Sequence, residues 1–139
     1  MKKSISFSLF FLMLIILALV SCTKTDSTTT PSGDDRAKFL GSWNVSETHN
    51  KGSFVVTIKA DPNEASRVLI DNFANLLPGN QATAYISGNS ITLDANQSVG
   101  NMINISGNGT MTGSTTINWT YTMTDGATRI DATAVYTKK

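Results

Sequence analysis

The chain has 139 residues, a formal net charge of +1, a single cysteine and a single histidine. A nearly neutral chain with scattered basic residues lacks the positive surface of a nucleic-acid-binding protein, which excludes that class. One cysteine excludes an intramolecular disulfide, and one histidine excludes a metal site built from several histidines.

The first 21 residues have the pattern of a bacterial lipoprotein signal peptide. Lys2 and Lys3 precede an apolar run from Ile5 to Val20, and the ending Leu19-Val20-Ser21-Cys22 matches a lipobox. The run is shorter than the stretch of about 20 apolar residues that a transmembrane helix needs. We therefore predict cleavage before Cys22 and attachment of acyl chains, palmitate among them, to its thiol. An ordinary secretory signal peptide, with Cys22 incidental, is the alternative.

Residues 22–33 are predicted to be the lipidated cysteine and a flexible tether, because the segment after Cys22 is polar and cannot help to bury a core. Thr23, rather than an aspartate, follows Cys22, which resembles the outer-membrane address of bacterial lipoprotein sorting. Periplasmic and surface-exposed orientations both stay open. Residues 34–139 are long enough for one small domain.

The domain is predicted to contain a short helix followed by antiparallel strands. Asp34 or Asp35 can cap the helix, and Gly41 ends it. Alternating apolar and polar residues then predict strands at 43–49, 53–60, 67–73, 81–87, 90–94, 101–112, 115–123 and 128–137. We interpret 101–112 as one strand bulged at Gly107-Asn108-Gly109, with two short strands as the alternative. About eight short strands joined by tight turns indicate an all-β sandwich or an up-and-down barrel.

The start of the first strand resembles that of lipocalin-like lipoproteins of Bacteroidota. Phe39-Leu40-Gly41-Ser42-Trp43 places a Gly-x-Trp triplet directly after the short helix. The resemblance implies a small up-and-down barrel in which Gly41 and Trp43 are structural, with Trp43 closing the barrel floor. It also implies that a basic residue near the last strand packs on Trp43. Lys138 lies at the right end of that strand for this contact, and Arg129 lies at the wrong end.

One end of the predicted barrel carries candidate ligand-binding residues. They are Phe73, Leu76, Leu77, Trp119, Tyr121 and Met123. The first three lie in an unusually apolar loop, and the last three follow the inner face of the seventh strand toward that loop. One interpretation is that the loop residues cap the core. The other is that they form a hydrophobic mouth or a partner surface.

The sequence contains no recognisable catalytic constellation. His49 could pair with Glu47, but the two share one strand face, and we interpret both as solvated polar surface. The chain has no Gly-x-Ser-x-Gly elbow and no phosphate-binding loop, and turn chemistry explains most of its acidic residues. We therefore predict a protein that is not an enzyme and that uses no metal or cofactor.

Three function classes remain, and an enzyme ranks last among them. The first is an outer-membrane-anchored lipoprotein whose barrel binds a small apolar ligand. The alternative is an envelope structural, interaction or inhibitor lipoprotein with a filled core, which binds a protein partner through its loops. A continuous internal cavity would favour the first class, and a close-packed interior would favour the second. Nucleic acid is not an expected partner of either class.

The lipobox generates a direct test. We expect Cys22→Ala to leave the precursor uncleaved by lipoprotein signal peptidase and to release the protein from the membrane fraction, because the acyl chains have lost their attachment atom. Fractionation followed by immunoblotting measures both effects. If the variant is cleaved to the mature length and is still found in the membrane fraction, lipidation at Cys22 is ruled out as the anchor.

Overall fold

The computed structural model describes residues 34–50, 52–76, 80–100 and 102–139. The predicted signal peptide, Cys22 and the tether lie outside the described residues, as does Leu77. None of the described residues belongs to a helix with the length and apolarity needed to cross a bilayer.

Nine strands make up the described domain. They are β1 (Gly41–Glu47), β2 (Ser53–Ala60), β3 (Arg67–Asp71), β4 (Gln81–Ser87), β5 (Ser90–Leu93), β6 (Gln97–Val99), β7 (Ile103–Thr112), β8 (Thr116–Thr124) and β9 (Arg129–Lys138). All pairings are antiparallel, and eight strands close a barrel because β1 pairs with β9 and β5 pairs with β7. The predicted small antiparallel barrel of about eight strands is confirmed. Apolar residues at alternate positions point inward and are buried, which is what closes the sheet around one core.

Residues 34–40 form a run of hydrogen-bonded turns before β1. The backbone N–H groups of Phe39 and Leu40 both donate to the carbonyl of Arg36. Phe39 is fully buried at the end of these turns. Its carbonyl accepts a 2.8 Å hydrogen bond from the indole N–H of Trp43, so the turns are fixed to the first strand.

Trp43 forms the floor of the barrel. Its side chain is fully buried, and the Nζ of Lys138 lies 4.5 Å from its ring centroid. The two residues are register partners, and the ammonium also donates to the carbonyls of Lys38 and Leu40. The backbone of Gly41 has a φ of +115°, and the side chain of Lys138 passes 3.6 Å from where a Cβ would lie. This cation–π contact joins the last strand to the first, and the expected packing of Lys138 on Trp43 is confirmed.

Arg36 holds the connection between β2 and β3 beneath the same end, which we call the closed end. Its guanidinium donates to the carbonyls of Asp61, Glu64 and Arg67 at 3.2, 2.9 and 3.2 Å. The buried carboxylate of Asp61 in turn accepts a 2.7 Å bond from Arg67. These charge-assisted bonds fix the largely exposed connection between β2 and β3 to the segment before β1.

Two glycines of β7 make room for aromatic side chains of β8. Gly107 is the register partner of Tyr121, and Gly109 is that of Trp119. A Cβ at Gly107 would lie 2.4 Å from the Cβ of Tyr121, and one at Gly109 would lie 2.8 Å from the ring of Trp119. The two strands pair one to one along their whole contact, so the predicted bulge is wrong, although the prediction of a single strand is confirmed. The glycines serve close packing instead.

The short strand β6 was not predicted, because three residues are too few to show a period of two. It pairs with the first part of β7, whereas β5 pairs with a later part of the same strand edge. The side chain of Gln97 fixes its position. The amide oxygen accepts a 2.8 Å bond from the N–H of Thr83, and the amide nitrogen donates to the carbonyl of Thr83 at 2.7 Å. The glutamine amide therefore replaces a peptide group in pairing with β4.

The burial of Trp43 predicts a large loss of stability on truncation. We expect Trp43→Ala to lower the free energy of unfolding by about 3–5 kcal/mol, as emptying a large core site does. Urea denaturation followed by circular dichroism measures it, with Val55→Ala on the exposed outer wall as the control. An unchanged midpoint for Trp43→Ala would contradict a structural role for this residue.

The close approach at Gly107 predicts that even a methyl group is destabilising there. We expect Gly107→Ala to cost about 1–3 kcal/mol of unfolding free energy, because Tyr121 must move to admit the new atom. Gly52→Ala is the matched control, since no atom lies within 4 Å of its would-be Cβ, and it should stay within about 0.5 kcal/mol. Equal denaturation midpoints for the two variants would refute the packing argument.

Candidate functional site

Aromatic side chains occupy the interior of the barrel. The ring of Phe73 lies 5.4 Å from that of Trp119, nearly perpendicular to it, and 4.8 Å from that of Tyr121. Trp119 also lies 5.7 Å from Tyr136 of β9. All four residues are buried. Their offset and edge-on geometry is the favourable one for aromatic pairs, so this part of the interior is packed with side chains.

The loop after β3 turns Phe73 inward from the end opposite Trp43, which we call the open end. Phe73–Asn75 form a single 3-10 turn flanked by Asn72. Asn72, Ala74 and Asn75 all have left-handed backbones, with φ of 62°, 52° and 58°. The amide of Asn72 donates to the carbonyl of Val55 at 3.0 Å and holds the turn against β2. Phe73 therefore caps the core, as one of the two interpretations of this loop predicts.

A pocket of about 260 Å³ lies at the open end. Its apolar walls are formed by the loop after β3 and by the parts of β7, β8 and β9 that lie nearest the open end. Its polar rim is formed by the loops after β1 and β8. The lining residues are His49, Asn50, Ala74, Asn75, Leu76, Ile103, Met123, Thr124, Asp125, Thr128 and Ile130. An apolar basin with a few polar groups at the rim is typical of a small-molecule site.

The structure brings the predicted ligand-binding residues together at one end but at two depths. Leu76 and Met123 line the pocket. Phe73, Trp119 and Tyr121 are buried in the aromatic core. Leu77 lies outside the described residues.

Glu47 is a functional candidate that the sequence analysis misjudged. It is only 8% exposed, so the interpretation of Glu47 as solvated surface is wrong, whereas His49 is exposed at the pocket. Glu47 continues the inward-facing series of Trp43 and Val45 on β1, and that parity was readable from the sequence. Its chemical type argued against an inward position, because a carboxylate is almost never fully buried without a partner.

The buried carboxylate of Glu47 is only half satisfied. Its Oε2 accepts a 3.0 Å bond from the amide of Asn50, which also donates to the carbonyl of Ala74 at 3.2 Å. Its Oε1 and the hydroxyls of Tyr121 and Tyr136 make no close hydrogen bond among the described residues, although the Tyr121 hydroxyl is near enough to Glu47 for a long side-chain hydrogen bond. The free protein thus holds unpaired polar atoms directly behind the pocket wall.

The two tyrosines near this carboxylate stay protonated. Burial raises the pKa of Tyr121 well above its usual range, and the neighbouring Glu47 carboxylate raises it further. Burial and the charge of Glu47 also raise the pKa of Tyr136. Each phenol therefore keeps its O–H as a donor throughout the physiological pH range.

The described residues contain no group of three or more histidine, cysteine, aspartate or glutamate side chains placed to hold a metal ion. Asp125, at the rim of the open end, is occupied by backbone donors of its own turn. The Oδ1 of Asp125 accepts the backbone N–H groups of Ala127 and Thr128 at 2.9 and 2.8 Å, as in a tight turn.

Comparison with known proteins identifies a fold relative but no family. No protein-family model matches the chain, and no curated protein matches it. A solved structure of EF1p2_mFAP2b bound to DFHBI is similar with a TM-score of 0.53 and 15% sequence identity, covering 76% of this chain and 99% of that chain. At this identity the likeness concerns the fold alone, and it agrees with the closed barrel described above.

Proposed function

We propose that this protein is a lipid-anchored, lipocalin-like barrel that binds a small, largely apolar molecule at its open end and performs no catalysis. The pocket of about 260 Å³, walled by Leu76, Ile103, Met123 and Ile130, is the observation that carries the proposal. Ligand pockets usually measure about 300–1,000 Å³, so the ligand is small. The similar barrel of EF1p2_mFAP2b is bound to DFHBI, which supports ligand binding as a use of this fold.

The position of the pocket suits a protein tethered at the other end. The described chain enters the barrel at the closed end, where Arg36 and Trp43 lie. Acyl chains on Cys22 would hold the protein on the outer membrane through the tether at 23–33 and leave the open end free. Both the lipid anchor and this location are part of the proposal, and either face of the membrane is compatible with it.

Packing of the interior favours a second candidate, an envelope interaction or inhibitor lipoprotein. The aromatic core around Phe73 fills the part of the barrel that a deep ligand would need. Met102, 81% exposed in the loop before β7, gives the open end an apolar contact for a protein partner. Binding of small molecules separates the two candidates, because only the first requires it.

Pocket binding predicts uptake of a neutral hydrophobic dye. We expect N-phenyl-1-naphthylamine to bind the acylated protein in lipid nanodiscs with about one equivalent, with empty nanodiscs as the blank. Leu76→Asp should weaken binding by about 1–3 kcal/mol, because a charge would lie where apolar contact is needed. Val55→Asp, on the exposed outer wall, is the control. Fluorescence titration measures both, and the absence of saturable binding to the wild type would favour the interaction candidate.

A further inference from the structure

We propose that the ligand carries a protonated amine, which is bound by the buried carboxylate of Glu47 beneath the open-end pocket. This inference rests on the proposed function and specifies the chemical class of its ligand: an organic cation with an apolar body. The apolar part would occupy the pocket above Met123, and the ammonium group would reach the carboxylate behind the pocket wall.

The charge of Glu47 lacks compensation within the described part of the chain. No lysine, arginine or histidine nitrogen there lies within 4.0 Å of it, since the ion pairs found involve other carboxylates. Lys138, whose ammonium contacts Trp43, is at the closed end. A carboxylate that is 8% exposed, with one oxygen that makes no close hydrogen bond and only neutral donors beside it, is a strong acceptor for a charged donor.

A single side chain separates this carboxylate from the pocket. Asn50 lines the pocket, and its amide nitrogen bridges Oε2 of Glu47 and the carbonyl of Ala74 at 3.0 and 3.2 Å. An ammonium group has three donors, which is enough to replace this amide at both acceptors and to reach a further oxygen. Because Asn50 is neutral, the exchange would replace a hydrogen bond in which only the acceptor is charged with an ion pair in which both groups are charged.

The surroundings of the carboxylate suit a cation rather than a second neutral donor. The rings of Phe73 and Tyr121 pack against each other with centroids 4.8 Å apart and exclude water from the interior, which strengthens the attraction between the carboxylate and a positive charge. Asp125 at the pocket rim adds a second negative charge on the approach. An anionic ligand would meet two carboxylates there and would be repelled.

A pair of nearly isosteric probes tests the inference. Calorimetric titration of the acylated protein in nanodiscs compares 4-phenylbutylamine with 4-phenylbutan-1-ol at neutral pH. We expect the amine to bind at least about tenfold more tightly, which corresponds to about 1.4 kcal/mol. Glu47→Gln should reduce amine affinity to about the level of the alcohol, whereas alcohol affinity, which has no charge–charge contribution, should change far less. Glu64→Gln, an exposed acid at the closed end, is the matched control and should change neither.

The outcomes separate this inference from the proposed function. Equal affinities for both probes, unaffected by Glu47→Gln, overturn the amine site while pocket binding stands. Binding of neither probe overturns both. If Glu47→Gln does not fold, Asn50→Ala supplies an independent test, because it frees Oε2 without touching the carboxylate. Because Asn50 also bonds the Ala74 carbonyl, the alcohol reports any change in pocket shape; the ratio of amine to alcohol affinity should rise about threefold or more, and a fall in that ratio would overturn the inference.

Discussion

The packing of aromatic rings inside a narrow barrel is the constraint on which the rest of this structure depends. Eight strands enclose just enough room for side chains. Trp119 and Tyr121 take that room because Gly107 and Gly109 on the neighbouring strand leave it free. Phe73 adds a third ring from the loop after β3. Since the aromatic rings occupy the interior there, the pocket forms above them at the open end.

The two ends of the barrel are stabilised in different ways. At the closed end, the cation–π contact of Lys138 on Trp43 and the hydrogen bonds of Arg36 hold the chain in place, and the positive φ beside them belongs to a glycine, Gly41. At the open end, the loop after β3 carries three of the five non-glycine residues with positive φ in the described part of the chain, including Ala74. Such conformations persist only where surrounding contacts impose them, and Asn50 supplies one by bonding the Ala74 carbonyl. The shape of the pocket therefore depends on a few polar contacts that a ligand can exchange.

The alternation of apolar and polar residues along the chain was enough to predict the strands of the barrel, but it did not predict how neighbouring strands pack against each other. The bounds of β2 and β4 match the prediction, because apolar inner positions repeat without interruption there. The role of Gly107 depends on Tyr121, which lies opposite it on β8. The pairing register of two strands cannot be deduced from the sequence of one strand alone. The inward turn of Phe73 depends on left-handed backbone at its neighbours, which has no periodic signature. For Glu47 the pattern did contain the answer. The alternation of β1 places it on the inner face with Trp43 and Val45, but its charge favoured an exposed position and led to the wrong prediction.

Glu47 is also where stability and binding act against each other. An apolar side chain at this inner position would bury area without leaving a polar atom unpaired, whereas a buried acceptor without a partner costs about 1–3 kcal/mol, and more when charged. The free protein already carries this cost, so a donor that reaches the carboxylate gains the bond without a further desolvation of Glu47. A ligand of that kind stabilises the fold in proportion to its saturation of the site. The residue that weakens the core is then the one that selects what the pocket holds.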